Sequence, residues 1–209
     1  MKIAVIDYKM SNMFSINNAL ISLGFRSKIT SDPNAILRAD GAVLPGVGSF
    51  PEAMRHLNDL QLNDVIKDFI ISGKPFMGIC LGLQLLFSES DEFESCKGLG
   101  IIDGTVIGFS KYINSEPIPH IGWNTVYSQN LIKSNNNYAS KIGIAENNYY
   151  YFVHSFFVKP KQNNNILTVT RYGDYEFCSS ILKGNVFACQ FHPEKSGPRG
   201  LNIFRNFFN

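Results

Sequence analysis

The N-terminal half of the chain alternates short strand-like runs, most of them apolar, with stretches whose apolar residues recur every three or four positions. Residues 2–7 form the first run and end at Asp7; Asn12 then offers a helix cap before Met13, Ile16, Leu20 and Leu23, which share one helical face. Gly24 suits the exit of that helix. Residues 26–30 read as a second strand, and Asp32-Pro33 place a cap and a first-turn proline ahead of a helix over 34–39. The alternation continues with a strand at 42–44, a glycine-rich turn at 45–48, helical periodicity over 53–57 and 62–71, and a break at Gly73-Lys74-Pro75. A fully buried strand at 76–79 runs almost directly into a helix at 81–87. Strands that alternate with helices in this way predict an α/β fold, with a mostly parallel sheet covered by helices on both faces.

The C-terminal half is β-rich. Shorter strands are predicted at 105–109, 149–154, 166–171, 177–182 and 186–190, separated by turn residues. A closing helix over 201–208 presents Leu201, Phe204 and Phe208 on one face, ready to dock on the sheet. Asn-rich patches at 135–137 and 163–165 read as surface loops. With no repeat or linker in the sequence, residues 1–209 are expected to form a single domain.

Composition narrows the function classes. A hydrophobic content of 44% over 209 residues builds a core without disulfides. A formal charge of +2 leaves no excess for a nucleic acid or an anionic membrane to use, so a small polar substrate or a protein partner is the expected ligand. Cys80, Cys96, Cys178 and Cys189 are scattered and form no CxxC pair, which fits a reducing cytoplasm. The apolar run after Lys2 is too short for a signal sequence. The longest apolar stretch, 76–87, is interrupted by glycines and Gln84 and falls short of the roughly 20 residues a membrane helix needs.

Chemistry concentrates at Gly78-Ile79-Cys80-Leu81-Gly82, a G-x-C-x-G segment between a buried strand and a helix. This is the cysteine form of the nucleophile elbow, in which a sharp turn holds the nucleophile in a strained conformation and glycines on both sides remove side chains that would collide. Cysteines are more often simple packing residues, but a packing cysteine needs neither glycine. A base follows a later strand in Gln190-Phe191-His192-Pro193-Glu194-Lys195-Ser196: His192 can take the thiol proton, and Glu194 can hold the imidazole's other N–H. Alone, a His-x-Glu in a loop reads as a solvated pair. His56 lies on a polar helix face, and His120 and His154 have no carboxylate near them in sequence. Acyl transfer also needs oxyanion donors, worth about 2.7–4 kcal/mol each. The N–H of Leu81 and the turn Pro45-Gly46-Val47-Gly48 are the two sources in view; the turn reads equally as a plain connection between strand and helix.

Five segments in order are Leu44-Pro45-Gly46-Val47-Gly48-Ser49-Phe50, the elbow with Leu83-Gln84-Leu85-Leu86, Pro119-His120-Ile121-Gly122-Trp123-Asn124, Tyr151-Phe152-Val153-His154-Ser155, and the His192 segment. Together they resemble the triad (class I) glutamine amidotransferases, which have a flavodoxin-like sheet, and within them the glutaminase subunits of imidazole glycerol phosphate synthases in histidine biosynthesis. The resemblance runs from Asp7-Tyr8 to the final helix. It implies that the Cys80 thiolate attacks the carboxamide of glutamine, that His192 protonates the departing ammonia, and that water then releases glutamate, with no cofactor and no metal. It further implies an oxyanion hole from the N–H groups of Val47 and Leu81, the former conditional on reorientation of the turn. Gly48, Gln84, His154, Ser155 and Phe156 fall at positions resembling the family's glutamine pocket, although Gln84, one turn after Cys80, also reads as satisfying backbone groups. Such glutaminases dock on a (β/α)₈ barrel synthase, which receives the ammonia. Trp123 and Asn124 are the residues this implies for the contact, against the ordinary reading of a tryptophan as core.

One departure from the family's pattern, and two readings from outside it, keep alternatives open. Asp7-Tyr8-Lys9-Met10-Ser11-Asn12 replaces the family's Asp-Tyr-Gly-x-Gly-Asn, which fits a glutaminase partner of a surface-polysaccharide sugar amidotransferase. A non-catalytic regulatory module on the same scaffold is the reading from another class, and a complete Cys80, His192 and Glu194 set opposes it. A cysteine hydrolase acting alone would call for a carboxylate before the elbow or a visible specificity cleft, and the sequence shows neither.

Overall fold

The computed structural model describes residues 1–10, 13–93, 95–128, 138–144 and 147–209. The predicted cap Asn12 and the Asn-rich patch at 135–137 lie outside them. The first half alternates as its pattern requires: β1 (Lys2–Ile6), α1 (Met13–Ser22), β2 (Arg26–Thr30), α2 (Pro33–Leu37), β3 (Gly41–Leu44), α3 (Phe50–Asp59), α4 (Leu62–Ile71), β4 (Phe76–Ile79) and α5 (Leu81–Leu85). Asp32 caps α2 by accepting the N–H of Asn34, with Pro33 in the first turn, and Gly24 leaves α1 at φ +87°.

Strands then dominate: β5 (Phe87–Ser90), β6 (Cys96–Lys97), β7 (Ile102–Gly108), β8 (His120–Thr125) and β9 (Tyr127–Ser128) precede the short helix α6 (Tyr138–Ile142). They are followed by β10 (Tyr149–His154), β11 (Phe156–Pro160), β12 (Ile166–Tyr172), β13 (Tyr175–Lys183), β14 (Val186–Cys189) and the closing helix α7 (Gly197–Phe208). The predicted helix over 81–87 is two residues too long. Phe87 instead opens β5, where it pairs with Ile102. Strands β5, β6, β8, β9 and β11 carry no prediction, because their mixed polar and aromatic residues lack a clean alternation.

The main sheet runs β2-β1-β3-β4-β14-β13-β11-β7-β5-β6. Strands β2, β1, β3, β4 and β14 are mutually parallel, and β14 turns antiparallel to β13. Successive residues of the parallel strands feed opposite layers. Ala4, Ile6, Ala42, Leu44, Phe76 and Ala188 pack with α2 to α5, whereas Ile3, Val5, Val43, Met77, Ile79 and Phe187 pack with α1 and α7. A strand buried on both faces has no polar position, which is why these runs read as continuous apolar stretches. Each fully buried aromatic contributes roughly 1.5–3 kcal/mol over its exposed state. In α7, Ile203, Phe204 and Phe208 seal the second layer.

Register sets up one rim. Leu44 pairs with Gly78 and Cys189 with Ile79, so β3, β4 and β14 end side by side. The segments leaving them are the 45–48 turn, Cys80 and Gln190 to His192. This is the rim of a parallel sheet where ligands bind. Beside it β8 and β10 form a separate antiparallel pair, with His120 opposite His154 and Trp123 opposite Tyr151. No helix among the described residues is long and apolar enough to cross a membrane.

Candidate active site

Cys80 stands at φ +55°, ψ −110°, a conformation that costs a non-glycine residue about 1–3 kcal/mol. The surroundings leave it no alternative. Its N–H is fixed to the carbonyl of Cys189 at 2.8 Å, while its own carbonyl accepts from Leu83 and Gln84 as α5 begins. Both flanking glycines are required. A Cβ at Gly82 would lie 1.9 Å from the Leu44 carbonyl oxygen, and one at Gly78 would lie 2.9 Å from that of Gly82 and 3.0 Å from Ala188.

His192 leaves the end of β14 and is held by its backbone. Its N–H donates to the Tyr151 carbonyl at 2.8 Å, and its carbonyl accepts from the Ser196 hydroxyl at 2.6 Å, which in turn accepts from the Tyr151 N–H. Nδ1 meets Glu194 Oε1 at 2.8 Å, with the two side chains 3% and 1% exposed. A carboxylate there fixes the tautomer with the proton on Nδ1 and turns Nε2 toward the reaction. With Nδ1 committed to Glu194, the other side of the ring is left for Cys80, while Glu194 Oε2 has no hydrogen-bond partner. Burial pulls the imidazole down, but the nearby Cys80 and then Glu194 outweigh it and raise His192 to about 10.

A cavity of about 300 Å³ opens over Cys80. Val47, Gly48 and Leu81 line one side, and Gln84, His154, Ser155 and Phe156 another, so every residue expected for the oxyanion hole and glutamine pocket borders the same space. Glu92, Pro119 and Val153 complete the lining and carry no prediction. Glu92, just after β5, is only 7% exposed, and its Oε2 accepts the Phe50 N–H at 2.8 Å. Burial raises that carboxyl, opposed by the Phe50 N–H.

The 45–48 turn is pinned at one end. The Tyr8 hydroxyl donates to the Pro45 carbonyl at 2.7 Å, and burial, with Cys80 adding to it, pushes that phenol far up. Gly46 touches the same residue: a Cβ there would lie 2.4 Å from the Tyr8 oxygen and 2.7 Å from Leu81 Cβ. Beyond it Val47 is 41% exposed and Gly48 takes φ +102°.

Two side-chain networks converge on the Phe156 carbonyl. Gln84 Nε2 reaches it at 2.9 Å and His154 Nδ1 at 2.8 Å. His154 Nε2 meets His120 Nδ1 at 3.0 Å, and His120 Nε2 lies 3.3 Å from Asn124 Nδ2. Both rings stay neutral. Burial, then His120 and His192, push His154 down to about 3 against the pull of the Phe156 carbonyl, and burial pushes His120 to about 4. The register of β8 and β10 supplies the partner that neither histidine has in sequence. His154 therefore borders the cavity with both ring nitrogens committed to protein. His56, as its helix face suggested, stays outside, with Nδ1 near the Tyr8 carbonyl.

Trp123 is 55% exposed, so the core reading does not hold for it. With Ile121 and Tyr149, 59% and 57% exposed, it forms an outward apolar face on the β8–β10 pair, and it lies edge-on to Tyr151. Asn124 turns the other way and donates to the Arg171 carbonyl at 2.9 Å.

A strained cysteine that borders a cavity of about 300 Å³, with a carboxylate-held imidazole close by, is the arrangement a cysteine-dependent amide hydrolase needs. The chain belongs to the class-I glutamine amidotransferase family, whose family model matches residues 4–209. It is 45% identical to the imidazole glycerol phosphate synthase subunit HisH of Caldanaerobacter subterraneus subsp. tengcongensis, over 98% of this chain and 96% of that protein. It is 46% identical to subunit HisH 1 of Methanococcus maripaludis, covering 98% of each chain, and 46% identical to HisH of Aquifex aeolicus, covering 99% of this chain and 96% of that one. Among solved structures, PurLQS from Thermotoga maritima shares the fold with a TM-score of 0.75 at 21% identity, over 100% of this chain and 97% of that chain.

Proposed function

We propose that residues 1–209 form one glutaminase domain, the ammonia-producing subunit of an imidazole glycerol phosphate synthase, working in the reducing cytoplasm. The observation that carries this reading is the 2.8 Å His192–Glu194 pair beside the strained Cys80 under a 300 Å³ cavity, in a chain 40–46% identical to proteins named HisH. Those relatives favour the histidine pathway over a surface-sugar recipient, despite the departure in sequence over 7–12.

In the proposed cycle the Cys80 sulfur attacks the carboxamide carbon of glutamine and the C–S bond forms as the carbonyl π electrons move to oxygen. The N–H groups of Leu81 and Val47 receive that charge. His192 gives its proton to the amide nitrogen, the C–N bond breaks and ammonia leaves. Water, deprotonated by His192, then cleaves the thioester to glutamate. Gly48, Gln84, His154, Ser155 and Phe156 shape the glutamine pocket, and the buried Glu92 carboxylate supplies the anion that a substrate ammonium group requires. Ammonia loses its nucleophilicity once protonated in water, so the product passes to a (β/α)₈ barrel synthase. The exposed face of Ile121, Trp123 and Tyr149, one strand from the cavity, is the surface proposed to meet it, and a central exposed tryptophan is a typical energetic anchor.

The test is glutamate release by this chain alone, with the barrel subunit, and with the barrel and its ligand. Release should be lowest alone and highest with both. Full activity alone, or indifference to the barrel, overturns the proposed partnership. Trp123→Ala should weaken association, read by calorimetry, by roughly tenfold or more.

A further inference from the structure

Gln190 and Gln84 meet behind the nucleophile, buried at 0% and 5% exposure. Which end of each amide faces which neighbour follows from the neighbours themselves. The Phe156 carbonyl can only accept, so the Gln84 group 2.9 Å from it is the NH₂. The second hydrogen of that NH₂ points at Gln190 across 3.1 Å, so the Gln190 atom there is the carbonyl oxygen. The remaining end of Gln190, its NH₂, therefore faces the Cys80 sulfur at 3.5 Å. Turning either amide over would set an oxygen against the Phe156 carbonyl or two NH₂ groups against each other. The second lone pair of Phe156 is taken by His154 Nδ1, which closes the hub.

We propose that Gln190 is a further catalytic residue of the glutaminase reaction, its Nε2–H donating to the Cys80 sulfur, and that Gln84 is the positioning residue that fixes this polarity. The inference rests on Cys80 being the nucleophile. The donated hydrogen stays on nitrogen throughout. It stabilises sulfur whenever sulfur carries charge: as the thiolate before attack, and as the leaving group when water cleaves the thioester. Between those points, with sulfur acylated, the hydrogen bond weakens. The other titratable groups around Cys80 are His192 and Glu194 from the segment after β14, Cys189 on β14, Tyr8 after β1 and His154 on β10. Gln190→Met adds no charge among them, whereas Gln190→Glu adds a carboxyl that also acts on them.

The experiment measures the rate of Cys80 alkylation by iodoacetamide against pH, in the two-subunit complex, for the native chain, Gln190→Glu and Gln190→Met. The expected result is a profile moved to higher pH in both variants, further in Gln190→Glu, with alkylation at neutral pH slowed by about tenfold or more in the latter, a shift of one pH unit being tenfold. Circular dichroism and partner binding report whether each variant is folded. A folded variant with an unmoved profile overturns the proposal, whereas an inert Cys80 in the native complex overturns the glutaminase reading beneath it. If neither variant folds, the side-chain amide resonance of Gln190 in the native chain decides. Movement with the same pH midpoint as alkylation supports the proposal, and a resonance unmoved across that range overturns it.

Discussion

On one side of Cys80, His192 and Glu194 are 3% and 1% exposed, and the backbone around His192 is tied to Tyr151 and Ser196. On the other, Val47 is 41% exposed, in a turn whose Pro45 and Gly46 are held against Tyr8 and Leu81. The base side is assembled by the sheet itself, because β14 lies parallel to β4 and delivers His192 beside the elbow. The proposed oxyanion side hangs on a loop. Under the proposed mechanism this division has a use: the proton-transfer pair is fixed, while the proposed donor Val47 sits in the segment better able to respond to a docked partner.

Substitutions on the base side should therefore cost most. His192→Asn is expected to lower glutamate release by the complex about 10²–10⁴-fold, the range for removing a general acid–base. A loss below tenfold would mean that another group takes the proton. On the turn, Val47→Pro removes one N–H and should cost about 10²–10³-fold in kcat, whereas Val47→Ala, which keeps the N–H, should stay near the native rate. Equal rates in the two variants would show the oxyanion hole complete without Val47. Gly46→Ala drives a methyl into the Tyr8 hydroxyl and Leu81 and should cost about 10²-fold by misplacement alone. Adding Tyr8→Phe, which removes the nearest clashing atom, should recover part of that loss, and no recovery would place the damage elsewhere.

The smallest effect concerns the buried imidazoles. His120 and His154, pushed down to about 4 and 3, stay neutral in the fold, while the unfolded chain protonates them below about pH 6.5. The unfolded state then binds more protons, so stability falls as pH drops from about 6.5 toward 4. His192 has the opposite sign: raised to about 10, it contributes stability that is full below about pH 6.5 and lost as pH rises through its folded value. Urea unfolding at pH 7 and pH 5 should show His120→Gln losing less stability on acidification than the native chain, and an unchanged acid sensitivity would count against the buried pair.

Where chemistry is encoded by neighbours in sequence, it could be read from sequence. G-x-C-x-G and His-x-Glu each span a few residues, and the two glycines declare a steric need that the Leu44 and Gly82 carbonyls confirm. The parallel core was legible because its runs have no polar face. Contacts made by topology were not legible. Nothing near Glu92 announces a buried carboxylate, nothing near Gln190 announces a sulfur 110 positions away, and His120 finds His154 only through strand register. Trp123 shows the same limit from the other side, since residue type alone predicts burial and only the two-stranded β8–β10 pair leaves it exposed.

In the proposed cycle Cys80 carries the acyl group. Glutamate release by Cys80→Ala, assembled with its barrel partner and the barrel's ligand, tests it most directly, with calorimetry confirming that the complex has formed. The expected result is an intact complex with no release above background. Sustained glutamate release by that complex would contradict the account.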